Sequence, residues 1–193
     1  MKSIIFDLGG VILEGKASSI LDKFNLNNEE YNLLLEFFND WKNLDIDEET
    51  IEDKFNSYNF PLEIINKYKD KLLKYYELRN INIELINLIK ELKNNYKIYI
   101  LSDNNKDASI YYKELFKGLD GYVFSYEYKT LKKDGKLFDI LLDKYNLNPK
   151  DCYFIDDNIE NIEVAKEKGI NTHQYTNNEN LIKYLKDNNI IGK

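Results

Sequence analysis

The stretch Ser3-Ile4-Ile5-Phe6-Asp7-Leu8-Gly9-Gly10-Val11-Ile12 decides how the rest of the chain is read. Ile4 to Phe6 form a short, wholly apolar run, the pattern of a strand buried on both faces. The run stops at a carboxylate followed by two glycines. Ligands of open α/β sheets bind just beyond the carboxyl ends of the strands, which is where Asp7 falls. Gly9 and Gly10 allow backbone angles closed to other residues, so the chain can turn sharply there and bring its amides to a ligand. Alone, this pattern also describes an ordinary strand ending in an Asx turn. Three later stretches give it chemical meaning.

The rest of the chain divides into two patterns. From about Ala17 to Leu78 every periodic segment reads as helix. One opens at Asn28-Glu29-Glu30 and carries Tyr31, Leu34, Leu35, Phe38 and Trp41 on one stripe. A second starts at Asp47-Glu48-Glu49-Thr50, and Pro61 fits the first turn of a third. After Asn82, which caps a helix, strands and helices alternate. The strands expected are Tyr96–Leu101, Tyr122–Tyr126, Cys152–Ile155 and Thr172–Tyr175. Such alternation implies a parallel sheet with right-handed crossovers, interrupted after its first strand by a block of helices.

Composition limits the function. The chain has 193 residues, enough for one core and a modest insertion, with 43% hydrophobic and 32% charged residues. A net charge of −7 argues against a broad nucleic-acid surface, which needs clustered cations. Arg79 is the only arginine, so bidentate guanidinium clamps on phosphate are scarce. Cys152 is the only cysteine, which excludes an internal disulfide and fits a reducing cytoplasm. The N-terminal residues lack the pattern of a signal peptide, and no apolar run reaches the ~20 residues of a membrane span. The expectation is a cytoplasmic protein, monomeric or homodimeric, that binds neither nucleic acid nor membrane.

If the strands are parallel, Asp7, Ser102, Asp156 and Asp157 share one sheet edge, with Lys132 in the loop after the third strand. Packed carboxylates repel one another unless a cation sits among them. Oxygen ligands of this kind suit Mg²⁺, which keeps waters and substrate phosphate in its shell. A lysine offsets phosphate and carboxylate charge, and a serine with free amides at a strand-to-helix turn can cradle phosphate. Asp157 and Asn161, four apart at a helix start, share one face.

Phe6-Asp7-Leu8-Gly9-Gly10-Val11-Ile12, Leu101-Ser102-Asp103-Asn104, Lys132 and Asp156-Asp157-Asn158-Ile159-Glu160-Asn161 resemble, in order and spacing, the four motifs of the haloacid dehalogenase-like hydrolases. The Asp-Leu-Gly opening and the Asp-Asp-Asn motif are most similar to the small bacterial glucose-1-phosphate phosphatase-like branch. The resemblance implies a Rossmann-like core of residues 1–15 and 80–193, with residues 16–79 as a helical C1-type cap. It implies that Asp7 is a nucleophile carrying an aspartyl-phosphate, that Ser102 holds a phosphoryl oxygen and that Lys132 neutralises charge. Gly9, Gly10, Asp103 and Asn104 would complete the phosphate-binding set. Mg²⁺ would be held by Asp7, the Gly9 carbonyl and Asp157, with Asp156 either a ligand or a support behind the ligands. The implied activity is Mg²⁺-dependent hydrolysis of a small phosphorylated metabolite. The alternatives are a phosphate-binding or regulatory protein with impaired turnover, and a dehalogenase or phosphonate hydrolase.

Three departures from that pattern matter. Many such phosphatases place an aspartate two residues after the nucleophile to protonate the leaving oxygen, and this chain has Gly9 there. The rate is therefore expected to depend steeply on leaving-group pKa, unless the cap supplies a donor. Asp103 stands where many relatives have asparagine, adding negative charge. Lys133 replaces a frequent proline, so either Lys132 or Lys133 could point inward, with spacing favouring Lys132. His173, Cys152 and the aromatics Phe38, Trp41, Tyr75 and Tyr76 read as structural, and Arg79 lies near the join of cap and core, where it could contact substrate.

Overall fold

The strands β1 (Ser3–Phe6), β2 (Lys97–Ser102), β3 (Gly121–Phe124), β4 (Cys152–Asp156) and β5 (Asn171–Gln174) pair in parallel in the order β3-β2-β1-β4-β5. The computed structural model describes residues 2–39 and 41–192. Successive side chains of β1 point to opposite faces. Ile4 and Phe6 enter one hydrophobic cluster and Ile5 the other. Both faces are covered by helices, which is why the strand is apolar throughout and fully buried.

In chain order the helices are α1 (Asn28–Phe37), α2 (Lys42–Asp45), α3 (Ile51–Ser57), α4 (Leu62–Leu73), α5 (Ile83–Leu92), α6 (Lys106–Leu115), α7 (Ser125–Tyr128), α8 (Lys136–Lys144), α9 (Ile159–Glu167) and α10 (Asn178–Asp187). Their starts are chemically specified. The side chains of Asn82, Asn105 and Asn158 accept the free amides of Leu85, Ala108 and Glu160. Asn27 with Glu30, and Thr50 with Asp53, form reciprocal capping boxes.

Strand order reverses at β1, which has β2 on one side and β4 on the other. The crevice at such a switch point opens above the carboxyl ends of those strands. Asp7 follows β1, Ser102 ends β2, and Asp156 ends β4.

The helices α1 to α4 and two 3₁₀ turns, Ala17–Lys23 and Tyr75–Leu78, fill the insertion between β1 and α5. The chain enters and leaves it at one place. Leu13 and Ile81 form an antiparallel bridge, flanked by hydrogen bonds from Glu14 N to Asn80 O and from Asn82 N to Ile12 O, both 2.9 Å. Arg79 Nη2 donates to the carbonyls of Glu14 (3.2 Å) and Gly15 (2.5 Å), fastening the exit to the entry. Insertion and sheet share one continuous apolar core, in which Leu34, Phe37 and Phe55 join the cluster of Ile4 and Phe6.

Local differences from the sequence expectation have physical causes. The third strand runs Gly121–Phe124, and Ser125 turns into α7 because its hydroxyl is taken by contacts outside the sheet. The stripe ending at Trp41 is broken at Phe37, and Trp41 Nε1 reaches back to the Phe37 carbonyl at 2.8 Å. Pro61 lies just before the helix it introduces rather than in its first turn.

Candidate active site

Asp7 is 7% exposed, held where β1 runs out. Its Oδ1 accepts the Leu8 amide at 2.7 Å and lies 2.9 Å from Lys132 Nζ. Among the described residues no hydrogen-bond donor reaches Oδ2, which leaves that oxygen uncommitted. Lys132 bridges onward to Asp156 Oδ2 at 2.6 Å. Burial alone would discharge this lysine, but Asp156, Asp7 and Asp103 outweigh it and hold the ammonium firmly charged, its pKa raised. Lys133 is exposed, so the spacing argument for Lys132 holds.

Asp156 is fully buried and fully satisfied. Its Oδ1 accepts the Asn158 amide (2.7 Å), and its Oδ2 accepts Lys132 and Asn161 Nδ2 (3.0 Å). Asp157, exposed, presents its carboxylate beside Gly10, where an added Cβ would collide with it. Oxygens of Asp7, Asp156 and Asp157 lie within 4.8 Å of one another. One buried ammonium cannot balance this many carboxylates, and an oxygen-only set of this size fits a hard divalent cation such as Mg²⁺. Burial is the main reason the Asp7 carboxyl is pushed up to about 7; Lys132 opposes the shift, and Asp156 and Asp157 add to it.

One side of the cleft is built from the loop after β2. Ser102 is buried, and among the described residues its hydroxyl has only a long 3.4 Å contact, to the Asp103 carbonyl. Asp103 Oδ1 accepts the Lys132 amide at 2.9 Å, so this side chain ties the serine loop to the lysine loop. The Asn104 amide is spent on Ser125 Oγ (2.9 Å), and its side chain accepts from Tyr75 OH (3.3 Å). The Gly10 amide donates to the Gly15 carbonyl (3.1 Å), so Gly10 serves the site through the space it leaves for Asp157, not as a free donor. Gly9 lines the cleft.

The cleft has a volume of about 330 Å³ and reaches into the insertion. Trp41 packs edge-on to Tyr75 at 4.6 Å and stacks on Phe38 at 5.2 Å. These rings were read as core, and they also form the cleft wall. Arg79 lines it too, with a buried Nε that has no partner among the described residues. His173 lies away from the cleft, stacked on Tyr184 at 4.5 Å, and Cys152 is buried in the second core cluster. Sequence reasoning missed Asp45, which lines the cleft from α2. The available signal was an acid set between two residues that prove buried, Leu44 and Ile46. No helix of the described residues is long and apolar enough to cross a membrane.

The chain is similar to known proteins along nearly its whole length. It is 24% identical over 198 residues to a D-ribitol-5-phosphate phosphatase of Bacteroides thetaiotaomicron, covering 92% of this chain and 93% of that one. The fold superposes with a TM-score of 0.70 on a HAD family enzyme from Bacteroides thetaiotaomicron, at 22% identity, covering 96% and 98% of the two chains. A HAD-like hydrolase from Porphyromonas gingivalis superposes with a TM-score of 0.71 at 18% identity, covering 100% and 99%. Residues 1–169 match the family model of the haloacid dehalogenase-like hydrolases. With the four motif segments gathered at one sheet edge and that match spanning most of the sequence, the chain belongs to the haloacid dehalogenase-like hydrolase family.

Proposed function

We propose that the protein is a Mg²⁺-dependent phosphohydrolase that removes phosphate from a small phosphorylated metabolite through an aspartyl-phosphate on Asp7. The observation that carries this reading is the arrangement around Asp7: one oxygen held by Leu8 and Lys132, the other uncommitted, with Asp157 close enough to share an ion. Displacement of halide by a carboxylate makes no use of such an ion site, so the acidic cluster favours phosphoryl transfer over dehalogenation.

Asp7 Oδ2 attacks phosphorus, and Asp7 carries the phosphoryl group until water releases it. Lys132 orients Asp7 and offsets charge on the transferring group, and the Ser102 hydroxyl donates to a phosphoryl oxygen. Asp7, Asp157 and the Gly9 carbonyl would hold Mg²⁺, with Asp156 behind them fixing Lys132. When bound, the cation supplies positive charge to phosphoryl oxygens.

Residues 16–79 act as a cap that chooses the substrate. The aromatic wall of Phe38, Trp41 and Tyr75 and the unpartnered Arg79 Nε suit a polyol or sugar monophosphate, the class to which the substrate of the similar D-ribitol-5-phosphate phosphatase belongs. The absence of a side chain at Gly9 favours the second reading, a phosphate-binding protein with impaired turnover. A screen of polyol and sugar phosphates with Mg²⁺, against an EDTA control, separates the two. Phosphate release that disappears with EDTA is expected; binding without release would establish the second reading.

A further inference from the structure

We propose that Asp45, carried by the helical insertion, is the proton donor and acceptor of the reaction, taking the role that Gly9 cannot fill. The inference rests on the phosphohydrolase reading above. Asp45 ends α2 and lines the same cleft as Asp7, Ser102, Asp103 and Lys132. Its backbone is fixed to the phosphate loop. Ser125 Oγ donates to the Asp45 carbonyl at 2.6 Å and accepts the Asn104 amide at 2.9 Å. One hydroxyl thus sets the distance between the acid-bearing turn and the loop that begins at Ser102. Among the described residues no donor satisfies the Asp45 carboxyl, unlike Asp156, where every oxygen is taken.

Burial and the charges around it favour its protonated form. Withdrawal from water pushes its pKa well above the ordinary carboxylate value; Asp103 adds to this, Lys132 opposes it, and Asp7 adds further. The Tyr75 phenol, close enough to feel Asp45, is itself raised by burial and stays neutral. Asp103, an acid at a position where an amide would bind the Lys132 amide equally well, thereby gains a purpose: its negative charge holds the proton on Asp45.

The steps balance. As the bond from Asp7 Oδ2 to phosphorus forms and the bond from phosphorus to the ester oxygen breaks, Asp45 gives its proton to that oxygen, and a neutral alcohol leaves. Asp45, now a carboxylate, takes a proton from the water that attacks phosphorus. The bond to Asp7 breaks, phosphate departs, and Asp45 is again protonated. With a donor in the insertion, the steep leaving-group dependence expected from Gly9 alone gives way to a shallow one.

The test compares the unmodified chain with Asp45→Asn on alkyl and aryl phosphate monoesters of graded leaving-group pKa, with Mg²⁺. General acid help is worth ~10²–10⁴-fold, most where the leaving group is poor. Asp45→Asn is expected to lower kcat/KM by that factor for alkyl esters and hardly at all for p-nitrophenyl phosphate. Phospho-Asp7 should accumulate with p-nitrophenyl phosphate, because its formation is spared while the attacking water has lost its base. Asp103→Asn should move the basic limb of the kcat/KM profile to lower pH, since Asp45 then releases its proton more easily. Equal losses on alkyl and aryl esters, no loss on alkyl esters, or a basic limb unchanged in Asp45→Asn would overturn the assignment. Failure of the unmodified chain to hydrolyse any ester overturns the phosphohydrolase reading itself, a result distinct from each of these.

Discussion

Gly10 leaves the position of its missing side chain to the carboxylate of Asp157. Gly10 has φ +73°, in the left-handed region that other residues adopt only at a cost of roughly 1–2 kcal/mol. Gly10→Ala therefore strains the loop and pushes aside the Asp157 carboxylate, a ligand of the proposed Mg²⁺ site. The Mg²⁺ concentration for half-maximal activity should rise at least about tenfold, the scale seen when the supports of a metal ligand are lost. Gly9→Ala is the control: nothing lies within 4 Å of an added Cβ there. A Mg²⁺ titration that treats both variants alike would refute the distinction.

Asp7→Asn should remove turnover by several orders of magnitude while leaving the fold intact. Burial already disfavours the charged form of Asp7, so a neutral amide costs the fold little. Lys132 keeps Asp156 as its partner. Thermal unfolding should show a Tm equal to or above that of the unmodified protein. Near-normal phosphate release would exclude an Asp7-phosphate route.

Lys132→Met removes a buried ammonium and leaves Asp156, at 0% exposure, without its counter-charge. Breaking a buried pair in this way costs about 3–5 kcal/mol. For a chain of this size that is a fall in Tm of roughly ten degrees. The deficit should shrink as pH falls, because Asp7, the other partner of Lys132, is raised to about 7 by burial and takes up a proton there, needing no counter-charge. A deficit independent of pH would mean that lost packing, not charge, is responsible.

Mg²⁺ should stabilise the protein more at pH 8 than at pH 5. The Asp7 carboxyl is raised from 3.8 to about 7, so between these values the folded state holds a proton that the unfolded state has lost. Stability from this group is therefore present in acid and declines as pH rises toward 7. A cation that binds only the deprotonated form competes with that proton and reverses the loss above it. Thermal shifts with and without Mg²⁺ across this range check the sign.

The sheet and the edge that gathers the motif residues were legible because each strand that carries one is a short apolar run ending in a polar signature. Asp7, Ser102 and Asp156-Asp157 fall where the runs stop, and parallel pairing does the rest. The choice of Lys132 over Lys133 was also readable, from loop spacing. What could not be read was how the insertion faces the site. α2 has four residues, too few for a helical period to declare itself, and Asp45 ends it between the apolar Leu44 and Ile46. A sequence shows that the Gly10 amide exists, not that it is spent on the Gly15 carbonyl. Ser125 looked like strand, and its hydroxyl's bond to the Asp45 carbonyl joins residues 80 apart.

The paired linkers at Leu13 and Ile81 make the insertion a cassette: both of its ends leave the core at one point, clasped by Arg79. A graft of residues 16–79 from a relative needs only two junctions, side by side, and leaves every strand in place. With Asp45 inside that cassette, the graft moves the proposed proton donor together with the aromatic cleft wall. On the roles proposed above, an exchange of specificity is also an exchange of acid, and a donor segment lacking a carboxyl at that turn brings a new pocket without the means to release an alkoxide.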